Sequence, residues 1–415
     1  MKRLPMALGI VAVGSVILAG CSAPADGADG DATVTITYTN FISNDGNEDN
    51  LRKIVDAFED ANPGITVEVT TMPYADYFTA LQTDAAAGTL SDVFDIRFDD
   101  YALYQANGVL APITPANPGA IKQSLLEAYS TDGVSYALPT SFSAVVLYYN
   151  KDLFDAAGLD YPSSDWTWAD EKEAALALTD QAAGVWGDHQ PVSFYEYYKV
   201  LAQNGGQFLS DDGTSVAFNT PAGVEAAKWL VEKSGTVMPT IEQGQGSPDF
   251  DTDLFKAGQL AMLHTGIWVF GAVADVPFGW DIAVEPGNAR QASAVFSNAA
   301  AVSSASKHPE EAAKFVEFMS SSDVMVDVRL AAGWELPPIA DDAKLASYLD
   351  MGAPENRQAV FDSLDGIALL PIVAEGQAEM QDIMTEELVE AQAGRKTVEE
   401  ALASAEQRIN AVIGG

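Results

Sequence analysis

The chain has 415 residues, of which 60 are acidic and 21 basic, for a net charge of −39. A surface this acidic repels nucleic acid and anionic headgroups, which argues against either as a partner. The length allows two or three domains with substantial cores, and a single cysteine leaves no partner for an internal disulfide.

Lys2 and Arg3 precede an apolar, small-residue run, Met6–Ala19, which ends in Leu18-Ala19-Gly20-Cys21. A basic start and an apolar core too short to span a membrane as a stable helix are the layout of a secretory signal, expected over residues 1–20. The last four residues match the bacterial lipobox, which implies cleavage before Cys21 and a diacylglyceryl thioether on its sulfur. Two acyl chains anchor stably where one is marginal. The mature chain would carry 19 basic and 60 acidic residues, a net charge of −41. Ser22–Ala32 has small, acidic and turn-forming residues and nothing to bury. With Cys21 it is read as a flexible tether, 21–31, reaching roughly 18 Å. No later stretch has the unbroken apolar length of a membrane span.

Strong α/β alternation follows. Val34–Tyr38 alternates as a strand, and Leu51, Ile54, Val55 and Phe58 make a helical stripe that Asn62-Pro63-Gly64 stops. Ile65, Val67 and Val69 form a second alternating strand. Asp76 is read as the cap of a helix ending at Ala87 and Gly88, and Ser91–Phe98 as a third strand. Two βαβ units imply a parallel sheet with ligands beyond the carboxyl ends of its strands, here Thr39–Asn44 and Arg97–Tyr101.

The stretch Tyr136–Lys151, YALPTSFSAVVLYYNK, organises the middle of the chain. Ala144–Tyr149 is a continuous apolar run, as in a strand buried on both faces. Thr140, Ser141 and Ser143 read as a loop leading into it, the pattern of a crossover between domains or of an ordinary edge-to-centre connection. Asn150 to Gly158 can cap, form and close a short helix. Thr167 and Asp170 suggest a capping box, with Trp166 and Trp168 read as core. Phe194–Tyr198, FYEYY, is aromatic on every side, and Thr220-Pro221 opens a helix running to Gly235. Leu260–Leu263 is a short strand, after which Gly266 is expected to turn the backbone so that Trp268 emerges. Ala312, Phe315, Val316 and Met319 mark a helix after Pro309, and Thr397 and Glu400 a capping box on the last one.

Catalytic patterns are scarce. There is no G-x-S-x-G, HExxH or phosphate-loop motif. His189, His264 and His308 are scattered, so neither a metal site nor any cofactor is expected. Asp249, Asp251 and Asp253 open like a calcium loop, but Leu254 and Leu260 stand where glycine and a bidentate glutamate belong. Asp99-Asp100 could suggest a glycosidase pair, but neighbours on an extended chain face opposite ways. A sugar binder needs aromatic planes for C–H faces and planar polar groups for hydroxyls. Asn40, Phe41, Arg97, Asp99 and Asp100 supply those types at strand ends, where Arg97 can also pair with an aspartate.

Several quoted segments resemble the family 1 extracellular solute-binding proteins of sugar importers, the maltose-binding type. They are FEDANPGITVEV, AAAGTLSDV, GVLAPIT, the LP-to-LYYNK order and FKAGQLAMLHTGIW; Ser91 departs where the family has proline. The resemblance implies a type II periplasmic-binding-protein-like α/β fold, two lobes with a hinge and the ligand between them. The lobes are placed at 32–141 plus 290–320 and at 142–289 plus 321–415. It also implies a sugar or oligosaccharide ligand, the membrane permease subunits of an ABC importer as partners, no enzymatic activity, and a monomer anchored outside the cell membrane. By position, Asp99 falls on an aspartate that takes sugar hydroxyls, Tyr195 on a stacking tyrosine and Trp268 on a stacking tryptophan. Phe142 and Trp334 complete the expected site. A polyamine or other non-sugar solute, and a surface-anchored glycosidase, are the alternatives.

Overall fold

A computed structural model describes residues 33–42, 47–244, 247, 249–373 and 376–414. Cys21, the signal and the tether lie outside these residues, as do Ser43 and Asn44 of the first strand-end loop.

Strands β1 (Val34–Asn40), β2 (Ile65–Thr71) and β3 (Val93–Arg97) are parallel, joined by helices α1 (Glu48–Ala61) and α2 (Tyr74–Ala87). Helix α1 buries Leu51, Ile54, Val55 and Phe58, the stripe its spacing predicts. In β2 the alternation fails at Val69, which is 40% exposed, because β2 is the sheet edge. Helix α2 begins before the expected Asp76 cap, since the Pro73 carbonyl already accepts from Asp76 N and Tyr77 N. Strand β3 passes directly into α3 (Phe98–Ala106). Then come α4 (Gln123–Ala128) and a small hairpin of β4 (Ser130–Thr131) and β5 (Val134–Ser135).

Strand β6 (Ala137–Asn150) is buried along all 14 residues. Residues 137–144 pair with β9 (Ser293–Val302); residues 145–150 pair with β7 (Met262–Gly266) and β8 (Trp280–Ala283). Strand β9 also pairs with β3 and, at its start, with β10 (Ile367–Ala368). Thus β6 and β9 each run through both parts of the sheet, whose order is β2-β1-β3-β9-β6-β7. The expected loop Thr140–Ser143 is inside β6. Its polar residues are accommodated by a register shift between Pro139 and Ser141, where proline lacks an N–H and Thr140 Oγ1 donates to Asn298 O instead.

Between β6 and β7 lie α5 (Lys151–Ala157), α6 (Trp168–Leu178), α7 (Phe194–Gln203), α8 (Pro221–Val231), α9 (Ile241–Gly244) and α10 (Phe250–Lys256). After β9 come α11 (Pro309–Ser321), α12 (Asp323–Ala332), α13 (Asp342–Ala346) and α14 (Gln358–Asp362), then α15 (Gln377–Gln392) and α16 (Val398–Ile413) after β10. Asn150 caps α5 by accepting from Leu153 N, and capping boxes open α6 and α16 as their spacing predicts.

Three apolar clusters position the site. The largest joins α1, α11 and α12 to β1 and β6 and continues to β7 and β8. A second holds α7, α8, α15 and α16 together, and an aromatic one lies among α2, α3 and β3. Helix α12 packs on α1 and α11, so residues 323–332 share an apolar cluster with α1 and β1.

Candidate functional site

The carboxyl end of β3 supplies the first side chains. Asp99 and Asp100 sit in the first turn of α3, not on extended chain, so both can approach Arg97. Arg97 Nε is 2.8 Å from Asp100 Oδ2 and 3.5 Å from Asp99 Oδ1. Its Nη1 donates to Tyr74 Oη at 3.1 Å, and its guanidinium stands 3.7 Å over the Phe78 ring. Phe41 packs edge-on against Tyr74 and Tyr77 in the same aromatic group. The ion-pair role of Arg97 is thus present. Asn40 is fully buried at the end of β1, where its Oδ1 accepts from Ile42 N.

Across from α3, Tyr195 lies at the start of α7, whose N-terminus Ser193 caps. Its hydroxyl donates to Asp99 Oδ2 at 2.7 Å, and Gln381 of α15 donates to the same oxygen at 3.1 Å. Burial and then Asp99 hold the Tyr195 hydroxyl above its ordinary pKa, which keeps the proton on the donor. Phe296, half-buried in the middle of β9, lies 5.8 Å from the Tyr195 ring and 5.7 Å from Trp268. Asp99, Tyr195 and Trp268 therefore form one group, with Phe296 and Gln381 as members that sequence reading missed.

Gly266 serves a different purpose from the turn expected of it. Its φ of −85° is open to any residue. A methyl group there would lie 1.9 Å from Trp268 Cζ3, so the glycine makes room for the indole. Phe142 and Trp334 are packed inside the main cluster, 3% and 6% exposed. Trp334 lies under the Arg329 guanidinium at 4.0 Å. From that loop it is Glu335 that reaches β9, accepting from Asn298 Nδ2 at 3.2 Å.

Beneath α3, Asp95 is buried and its Oδ1 accepts from the Tyr38 hydroxyl at 2.7 Å. Burial pushes its carboxyl up to about 7. A carboxyl raised on folding favours the fold at low pH, and that benefit is lost as pH climbs from about 4 to 7. Asp95→Asn should therefore raise the urea midpoint relative to wild type increasingly between pH 4 and pH 8.

Glu171, Asp188 and His264 present ligand atoms within 4.8 Å of one another, a grouping the scattered histidines did not suggest. Lys233 Nζ is 2.6 Å from both Glu171 Oε1 and Asp188 Oδ2. An ammonium already stands where those carboxylates could bind a metal.

Two sheet regions sharing the long strands β6 and β9, with a polar and aromatic group between helices of different cores, define a two-lobed solute-binding protein. The chain belongs to the bacterial extracellular solute-binding protein family, whose model matches residues 44–326. It is 40% identical to an ABC substrate-binding protein of Listeria monocytogenes, solved in complex with cycloalternan. That match covers 91% of this chain and 98% of the other, with a TM-score of 0.87. The cyclic α-maltosyl-1,6-maltose binding protein of Arthrobacter globiformis is 25% identical, over 92% of this chain and 99% of its own, with a TM-score of 0.73. The maltodextrin-binding protein of Bacillus subtilis (strain 168) is 26% identical over 270 residues, 63% of this chain and 62% of that one. No helix among the described residues is long and apolar enough to cross a membrane.

Proposed function

We propose that this protein captures an oligosaccharide between its two lobes and delivers it to the membrane subunits of an ABC importer, without turning it over. It acts as a monomer, held outside the cell membrane by a diacylglyceryl group on Cys21. The first lobe is 33–141 with 290–332, which follows the packing of α12, and the second holds the remaining folded residues. The observation that carries the reading is the group Asp99, Tyr195, Phe296 and Trp268. A carboxylate beside three half-buried aromatic rings matches a sugar's hydroxyl edge and C–H face. The 40% identity to a cycloalternan-bound relative supports an α-linked glucose oligosaccharide, cyclic or linear, as the ligand class. Arg97, Asp100, Phe41 and Asn40 line or support the β3 side. Phe142 and Trp334 act from within the core.

The test is a thermal-shift screen against cycloalternan, maltooligosaccharides, monosaccharides and polyamines. A ligand that binds only the folded state adds about 2.7 kcal/mol at a hundredfold excess over Kd. Stabilisation by the glucose oligosaccharides is expected. A response to polyamines alone would overturn the sugar reading, and released reducing ends would point to a glycosidase.

A further inference from the structure

We propose that Lys199 is a positioning residue: from inside α7 it ties Tyr195's helix to Glu285 and His264 on the sheet beneath, and so fixes the spacing of Tyr195 and Trp268. This rests on the reading of those two rings as parts of the sugar site.

The sheet supplies one half of the arrangement. Val145 of β6 pairs with Gly266 of β7, and Leu147 pairs with both His264 of β7 and Ala283 of β8. Residues two apart on a strand share a face, so His264 and Gly266 present the same side of β7. A methyl group on Gly266 would meet the Trp268 indole, which therefore lies over that side. Glu285 follows β8, and its Oε1 is 2.7 Å from His264 Nδ1, so it reaches the same side.

Helix α7 supplies the other half. Tyr195 and Lys199 are four residues apart in it, on neighbouring turns of one helix side. Lys199 is fully buried, with Nζ 2.5 Å from Glu285 Oε1 and 2.7 Å from Glu196 Oε2. One oxygen of Glu285 thus meets both the ammonium of α7 and the imidazole of β7. Apart from this link, α7 packs chiefly on α8 and α15. Gln190 adds a second tie, donating to Glu196 at 2.9 Å. Lys233 instead binds Glu171, Asp188 and Gln190, outside α7 and β7.

Buried polar bonds are strong in a low dielectric and rigidify what they join. Lys199 touches no ring of the site, yet it decides how far the helix bearing one ring stands from the strand leading to the other. Changes along such a network alter binding by about two- to thirtyfold without touching ligand, and about tenfold is expected here.

The experiment uses the exported chain carrying Cys21→Ser and labelled with 5-fluorotryptophan, read by fluorine NMR and by calorimetry with cycloalternan and maltotetraose. The Trp268 resonance is identified by its loss in Trp268→Phe. Lys199→Met should move that resonance in the ligand-free protein and weaken binding about tenfold. Lys233→Met takes an ammonium from the same network but off α7, and should leave both as in wild type. Lys199→Met with Glu285→Gln relieves the charge left behind without restoring the tie. That double variant should regain stability to urea yet still bind weakly, and it carries the test if the single change unfolds the chain. A wild-type resonance and affinity in the Lys199 variants would overturn the proposal. So would affinity that returns with stability in the double variant, or an equal loss in Lys233→Met; Lys199 would then be a stabilising charge only. If neither saccharide binds wild type, the sugar reading fails and the resonance alone decides the role of Lys199.

Discussion

Lys233→Met is expected to lower the unfolding free energy by about 3–5 kcal/mol, because it removes one partner from a buried ion network and leaves the other charges unpaired. Lys233 is 7% exposed. Its ammonium contacts Glu171, Asp188 and Gln190, and lies 4.3 Å over Trp229, which stacks on Trp168. His264 continues the network, with Nε2 3.2 Å from Glu171 Oε1 and Nδ1 2.7 Å from Glu285 Oε1. Lys199 then joins Glu285 at 2.5 Å and Glu196 at 2.7 Å. Methionine keeps the volume of lysine, so the loss measures charge and not a cavity. Urea unfolding of both proteins reads it directly; equal midpoints would refute the role given to Lys233.

The network also fixes a pH window. Burial opposes charge on His264, but Glu171 and Asp188 outweigh it and hold the imidazolium well above its ordinary range. Its contribution is complete below about 6.5, the unfolded value, and is lost as pH rises through the folded one. Burial likewise opposes charge on Asp188, but Lys233 and His264 hold its carboxyl well below the usual range. That contribution is complete above about 4 and fails as pH falls further. The wild-type advantage over Lys233→Met should therefore be greatest between roughly pH 4 and 6.5.

None of this network was legible as a network, although Glu171 and His264 left a trace. Trp168, Glu171, Ala175 and Leu178 follow one another at i, i+3, i+7 and i+10, and all four are buried. A glutamate on an apolar stripe is the signal. His264 interrupts the apolar run around Leu263, and Gln381 shares the face of Gln377, Met384 and Leu388 in α15. Polar residues at buried positions of the pattern mark interior pairing, while their partners come from elements whose arrangement no spacing reveals. By contrast, the α1 stripe, the strand through Ala144–Tyr149 and three of the helix caps needed only local chemistry. Asp99, Tyr195 and Trp268 were placed through resemblance. Phe296 was hidden in SAVFSNAAAV, where nothing local distinguishes a cleft-facing ring from a core one.

Gly266→Ala should weaken oligosaccharide binding about as much as Trp268→Ala. Truncating a central aromatic anchor costs at least about 2 kcal/mol of binding, roughly thirtyfold in Kd. In the proposed site Trp268 would be such an anchor: it is half-buried, packs against two apolar clusters and stands edge-on to Phe296. At Gly266 the backbone itself accepts alanine, with φ −85° and ψ 169°. The whole effect therefore passes through the ring, which the new methyl would meet at 1.9 Å from Cζ3 and 2.1 Å from Cε3. The indole must leave its place although the tryptophan is still present. Gly279→Ala, where the nearest side-chain atom is 3.4 Å away, should leave binding unchanged. Calorimetry with cycloalternan or maltotetraose compares the three variants. Wild-type affinity in Gly266→Ala would mean that the position of the Trp268 ring does not matter to the ligand, and the aromatic half of the site would have to be sought elsewhere.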